Sequence, residues 1–203
     1  FAAILSMIFP AVYVAVATWH TSLLPTKLVL SMAEARQGVP FPALGEILLM
    51  EISFELLKEA GIRLPGPMGN TIGIVGGLII GQAAVDASLV SPIVVIVVAF
   101  TALCSFAIPN EEFASAFRIL KYGCIFMGAW LGLYGVALSG LWVLIHLSHL
   151  NSFGIPYLMP YVAADVNGYE DKKDSLFRFP LKYCVRRPIF ARRGERIKLR
   201  KRD

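Results

Sequence analysis

Glycines recur at every fourth position, Gly69, Gly73, Gly77 and Gly81, inside the run Gly69-Asn70-Thr71-Ile72-Gly73-Ile74-Val75-Gly76-Gly77-Leu78-Ile79-Ile80-Gly81-Gln82. On an α-helix that spacing stacks all four on one face. In water each would cost about 1 kcal/mol relative to Ala. In a bilayer the backbone has no solvent to bond to, so a helix is enforced. There a smooth face lets a neighbouring helix approach until backbones touch. The pattern points to helices packed tightly within a membrane, with these four glycines as the packing positions.

Composition agrees. Hydrophobic residues make up 57% of the chain and charged residues 16%, with a mean hydropathy of +0.66, whereas a soluble domain carries roughly a quarter charged residues. Thirteen of the nineteen Lys and Arg lie after Ala164, together with six of the fourteen acids. The expected organisation is a transmembrane domain over residues 1–164 and a basic tail over 165–203. The positive-inside rule puts that tail in the cytoplasm. Beside membrane segments it reads as an orientation and lipid-headgroup device, not as a nucleic-acid arm. Cys104, Cys124 and Cys184 form no CxxC pair, and the first two sit in apolar runs, which reads as buried, reduced thiol. The chain opens on Phe1 within a hydrophobic segment, as expected of a fragment whose upstream part has been cut away.

Along the chain, Phe1–Trp19 is uncharged and reads as a span kinked at Pro10, with Trp19-His20 at the interface. Lys27–Gln37 suits a short amphipathic helix. Ala43–Ala60 is helical but too charged for an ordinary span, and Gly61-Ile62-Arg63-Leu64-Pro65-Gly66-Pro67 ends it. Ile72–Ile108 reads as two short spans joined at Asp86–Pro92, or as a re-entrant helix plus one span; the first is preferred. Asn110 is a good N-cap, followed by Glu111 and Glu112 at the positive end of the next helix. Gly123–Ile145 is uncharged and of bilayer length. Ser152–Pro160 is apolar but proline-broken and belongs at the interface. The predicted fold class is all-α: a polytopic integral membrane helical bundle of four transmembrane helices plus amphipathic interfacial or pore helices.

Pro40-Phe41-Pro42-Ala43-Leu44-Gly45-Glu46, the run from Phe54-Glu55-Leu56-Leu57 to Leu64-Pro65-Gly66-Pro67, and Gly69-Asn70-Thr71-Ile72-Gly73 through Gln82-Ala83-Ala84-Val85-Asp86 resemble the A-subunit family of bacterial spore-germination nutrient receptors, the GerA type. Phe106-Ala107-Ile108-Pro109-Asn110 and Phe153-Gly154-Ile155-Pro156-Tyr157 fit the same pattern, so the resemblance covers essentially the whole chain. It implies a multi-pass subunit of a receptor in the bacterial spore inner membrane, working with a transporter-like B subunit and a lipoprotein C subunit. It further implies a homo-oligomer, a pentamer, forming a nutrient-gated channel for monovalent cations, and a soluble N-terminal domain upstream.

A cation path through lipid needs carboxylates, amides or carbonyls facing water, because a charge facing hydrocarbon costs about 2.5–3.5 kcal/mol. On the Ala43–Ala60 helix, Glu51, Glu55 and Glu59 share one arc, while Glu46 lies amid Leu and Ile and must find a partner, be neutralised or face water. Lys58 sits three residues from Glu55 and partly compensates it. Asn70, Gln82 and Asp86 are the polar positions of the glycine helix. Glu46, Glu51, Glu55, Asn70, Gln82 and Asp86 are therefore the candidate ion path, and Asp86 alternatively lies in a turn at the membrane edge. His146 and His149 share a helix face without a third ligand nearby in sequence, so no metal is expected. No phosphate-binding loop and no nucleophile with an evident base is present, so neither a cofactor nor an enzymatic activity is expected. The competing reading is a non-conducting membrane scaffold that docks the sensor subunit. A transporter of inverted repeats is weaker, since the glycine-rich segment has no second copy.

Overall fold

The computed structural model describes residues 1–63, 67–152 and 155–158. Six α-helices follow one another among them: α1 (Ala2–Thr18), α2 (Thr26–Ala35), α3 (Ala43–Arg63), α4 (Pro67–Asp86), α5 (Pro92–Phe106) and α6 (Glu111–His149). The all-α class therefore holds. The chain divides into two compact units, Phe1–Gly140 and Leu141–Asp203. The boundary expected after residue 164 and the basic tail lie outside the described residues.

The core of the first unit forms where α1, α3 and α5 meet. Met7, Ala11 and Val14 of α1, Ile47 and Met50 of α3, and Val94, Val97 and Val98 of α5 are all buried. Phe9 and Phe100 add a tilted ring pair with centroids 4.8 Å apart, a geometry that aromatic quadrupoles favour. The hydroxyls on these helices bond back to their own turns: Thr18 Oγ1 donates to the Val14 carbonyl at 2.7 Å, and the buried Thr101 Oγ1 to the Val97 carbonyl at 2.8 Å. A hydroxyl satisfied within its helix tolerates apolar surroundings. Pro10 lies inside α1, and Trp19 follows its last residue, where the sequence ends the apolar segment.

The outer surface inverts that of a water-soluble fold. Trp130 is 83% exposed, Ile119 75%, and Ile96 and Leu56 67% each, while Glu46, Glu51 and Lys121 are buried. Large apolar side chains outside and charges inside suit a hydrocarbon solvent. Among the described residues one helix, Glu112–His149, is long and apolar enough by length and composition to cross a membrane, and α1 and α5 are shorter apolar helices. The sequence reading expects four crossings. The 17 residues of α1 and the 15 of α5 fall below the roughly 20 that a bilayer core needs for an untilted helix.

The expected junction at Asp86–Pro92 is a helix–turn–helix. The amide of Leu89 donates to the Ala84 carbonyl at 2.9 Å and that of Ser88 to the Val85 carbonyl at 2.8 Å, with Ser88 in the left-handed region at φ 55°. This is a Schellman closure with Ser at the position Gly normally takes. Pro92 then opens α5, where its missing N–H costs nothing. Asn110 Oδ1 accepts from the Phe113 amide at 3.0 Å, so the predicted cap of α6 is in place.

One local feature goes unannounced in the sequence. Within the candidate span Gly123–Ile145, Gly132 breaks α6 with φ 65° and ψ −147°, a conformation open only to Gly at acceptable cost. A Cβ on Gly135 would collide with the Met127 carbonyl, standing 2.7 Å from its carbon. In a straight helix those residues are about 12 Å apart along the axis, so the chain folds back on itself at Gly132. Uncharged composition announces a crossing, but neither length nor periodicity reports a single residue of left-handed backbone.

In the second unit the Trp142 ring stacks on His146 at 5.9 Å. Asn151–Ser152 (β1) pairs antiparallel with Ile155–Pro156 (β2), and the Tyr157 amide closes the hairpin on the Leu150 carbonyl. The sequence reading gave this proline-broken stretch no strand.

Candidate functional site

The acids of α3 meet cations. Glu51, Glu55 and Glu59 recur at intervals of four residues and so share a face. On α6 the cations Arg118 and Lys121 lie three residues apart and also share a face. The two sets engage antiparallel: Lys121 Nζ stands 2.5 Å from Glu51 Oε2, and Arg118 Nη1 2.5 Å from Glu55 Oε1. The inner pair is almost closed to solvent, with side chains 4% and 8% exposed, and the outer pair is about a quarter exposed. Charges removed from water survive only when paired and hydrogen-bonded. Each helix thus supplies what the other requires.

Glu46, fully buried, is held at one end of this ladder. Its Oε1 accepts from Arg36 Nε at 3.1 Å, and its Oε2 from the Ser91 amide at 2.8 Å. Ser91 precedes Pro92 as the N-cap of α5, so the carboxylate sits at the positive end of that helix dipole. One side chain ties the residue after α2, the body of α3 and the start of α5. The Tyr13 hydroxyl lies beside Ser91 and this pair. Beyond the other end of the ladder, the Arg63 guanidinium bonds the exposed Glu59 at 2.6 and 2.9 Å. Lys58 donates to Ser105 Oγ and lies 5.2 Å from the Phe106 ring centroid. Glu55 takes Arg118 from α6, a partner that spacing along its own helix does not reveal.

The remaining candidates stand apart from this ladder. Gln82 and Asp86 are exposed, Asp86 as the last residue of α4. The side chain of Asn70 and the surroundings of Gly69 lie outside the described residues. Gly73 has nothing within 4 Å of its would-be Cβ, whereas Gly77 would meet the Phe54 ring at 3.5 Å, Gly81 would meet Val95 at 3.4 Å, and Gly76 would meet Leu57 at 2.7 Å. Of the expected packing face, Gly77 and Gly81 touch α3 and α5 while Gly73 is open. Among the described residues no group of three His, Cys, Asp or Glu is placed to hold a metal. Cys104 and Cys124 are free, and Cys184 lies outside the described residues.

Arg36, Ser91, Arg118 and Lys121 were missed as partners by sequence reasoning. A signal for two of them existed: Arg118 and Lys121 are the only Lys or Arg between Arg63 and Ala164, and their spacing of three puts them on one helix face, as the spacing of four does for the α3 acids.

The model of the Bacillus/Clostridium GerA spore germination protein family matches residues 1–190. The chain is 46% identical over 187 residues to spore germination protein GerLA of Bacillus cereus, covering 92% of this chain and 37% of that protein. It is 47% identical over 181 residues to spore germination protein A1 of Bacillus subtilis, covering 88% and 36%, and 43% identical over 194 residues to spore germination protein KA of the same species, covering 96% and 35%. The chain thus spans a little over a third of the length of these relatives. No solved structure matches it. On the extent of the family match and these identities, the chain belongs to the Bacillus/Clostridium GerA spore germination protein family.

Proposed function

We propose that this chain is the membrane portion of a nutrient-receptor subunit in the bacterial spore inner membrane. In this reading residues 1–164 cross the bilayer four times, with residues 165–203 in the cytoplasm. It assembles with its own copies, as a pentamer, and with a transporter-like B subunit and a lipoprotein C subunit. The assembly conducts monovalent cations when nutrient binds the partner. The observation that carries the membrane reading is the inverted surface, with Trp130 and Ile119 outside and the Glu51–Lys121 pair inside. Family membership supports the germination role.

In the isolated subunit Glu46, Glu51 and Glu55 are each neutralised by a cation of the same chain. A conducting assembly would have to part some of these pairs, whereas Gln82 and Asp86 are exposed in the subunit and are the residues proposed to line a mouth. The same pairing favours the second reading, a non-conducting scaffold, which needs no free carboxylates. Planar-bilayer recording of the full-length subunit, alone and with its partners, separates them. The channel reading expects nutrient-dependent K⁺ conductance that falls in Glu51→Gln and Asp86→Asn assemblies of unchanged size. Intact complexes that never conduct leave the scaffold.

A further inference from the structure

A second feature of the first unit has no part in the charge ladder. Where Gly132 leaves helical geometry, the amides that follow swing out of line with the carbonyls four residues back. In an unbroken helix the Ala129 carbonyl would accept from Leu133 N–H. Here it accepts from Trp19 Nε1 at 2.7 Å. The adjoining His20 fills the concave side of the break. A Cβ on Gly132 would lie 2.5 Å from His20 Cε1, 3.0 Å from His20 Nδ1 and 3.2 Å from Trp19 Cβ. The two residues that follow α1 thus occupy the angle of α6 and supply a hydrogen bond to the carbonyl three residues before Gly132.

We propose that Gly132 is a pivot and Trp19-His20 its latch, so that α6 has two states: bent, with Trp19 on the Ala129 carbonyl, and straight, with Leu133 in its place. The left-handed Gly132 backbone and the His20 ring seated against it are incompatible with a straight helix, which makes the states exclusive, and no proline prevents the straight one, since α6 contains none from Glu111 to His149. Straightening would recover the helical bonds lost at the break and expel His20 from the angle. Bistable elements of this kind, with two packings of similar free energy, convert a local contact into a larger movement. The device requires neither conduction nor a partner subunit, and its test does not depend on the channel reading.

Spin labels at Ile119 and Ala137, both exposed, report the angle in the full-length protein in lipid nanodiscs, with the native cysteines replaced. Eighteen residues of straight helix separate the labelled backbone positions by about 27 Å, and a bent α6 by clearly less. The parent protein is expected to show the short distance. Trp19→Phe, which keeps the ring but removes the donor, should add a population near the straight-helix value. Gly132→Ala, which bars the left-handed backbone, should move most molecules there. If both variants retain only the short distance, or if the parent already shows only the long one, the pivot is overturned. Should Gly132→Ala not fold, Trp19→Phe decides alone: a second distance supports the latch, and an unchanged single distance overturns it.

Discussion

α4 and the first arm of α6 are both glycine-bearing apolar helices, yet they use glycine differently. On α4 the residues recur in register, and the described ones meet at most side chains: Phe54 against Gly77, Val95 against Gly81, Leu57 against Gly76, and nothing against Gly73. On α6 the spacing of Gly128, Gly132 and Gly135 is irregular; Gly132 meets the His20 and Trp19 side chains, whereas Gly128 and Gly135 meet backbone. A Cβ on Gly128 would stand 2.8 Å from the Ala11 carbonyl oxygen, and one on Gly135 would strike the Met127 carbonyl. A side chain can move aside; a carbonyl held in a helix cannot. Regular spacing therefore marks a face that can accept a neighbour along its length. Irregular spacing marks the points where two backbones have already met.

Substitutions on the two helices sharpen this contrast. Gly135→Leu should have the largest effect, abolishing recovery of folded protein in detergent, because the collision is with main chain at a reversal of direction; normal yield with unchanged thermal unfolding would break the distinction at once. Next comes Lys121→Ala on α6, which strands Glu51 beneath the surface and should cost about 3–5 kcal/mol. The double variant Glu51→Gln/Lys121→Met should recover much of the thermal stability lost in that single change. Gly128→Ala should cost about 1–3 kcal/mol, as overpacking against Ala11. Smallest is Gly73→Ala on α4, where open space leaves only helix propensity. It should raise subunit stability by about 1 kcal/mol. If the same variant weakens association between copies in cross-linking or native mass measurements, the open face is an intersubunit contact, and the α4 pattern acquires the role its regularity advertises.

Much of the fold is legible in the chain itself. The cap at Asn110, the turn after Asp86, the end of α1 beside Trp19 and the short helix after Pro25 all follow from local chemistry, because caps, prolines and interfacial aromatics act on residues within a few positions. What escapes is non-local. Glu46 was recognised as needing a partner, but Ser91 gives no sign that its amide would face a carboxylate forty-five residues earlier. Likewise, Gly132 looks like any glycine in an apolar run, and only the packing of Trp19 and His20 against it fixes its backbone. The carboxylate ladder was half readable: the acids and their arc were evident, whereas the cations opposite them become partners only once α3 and α6 lie antiparallel.

The positions of those partners in the chain bear on biogenesis. Glu51 leaves the ribosome seventy residues ahead of Lys121, and Glu55 likewise precedes Arg118. Until the later helix emerges, the earlier one carries carboxylates that hydrocarbon will not accept at low cost. On the membrane reading proposed above, α3 waits at the headgroup level during translation and is drawn inward by α6, so the last of the six described helices to be made completes the insertion of the third.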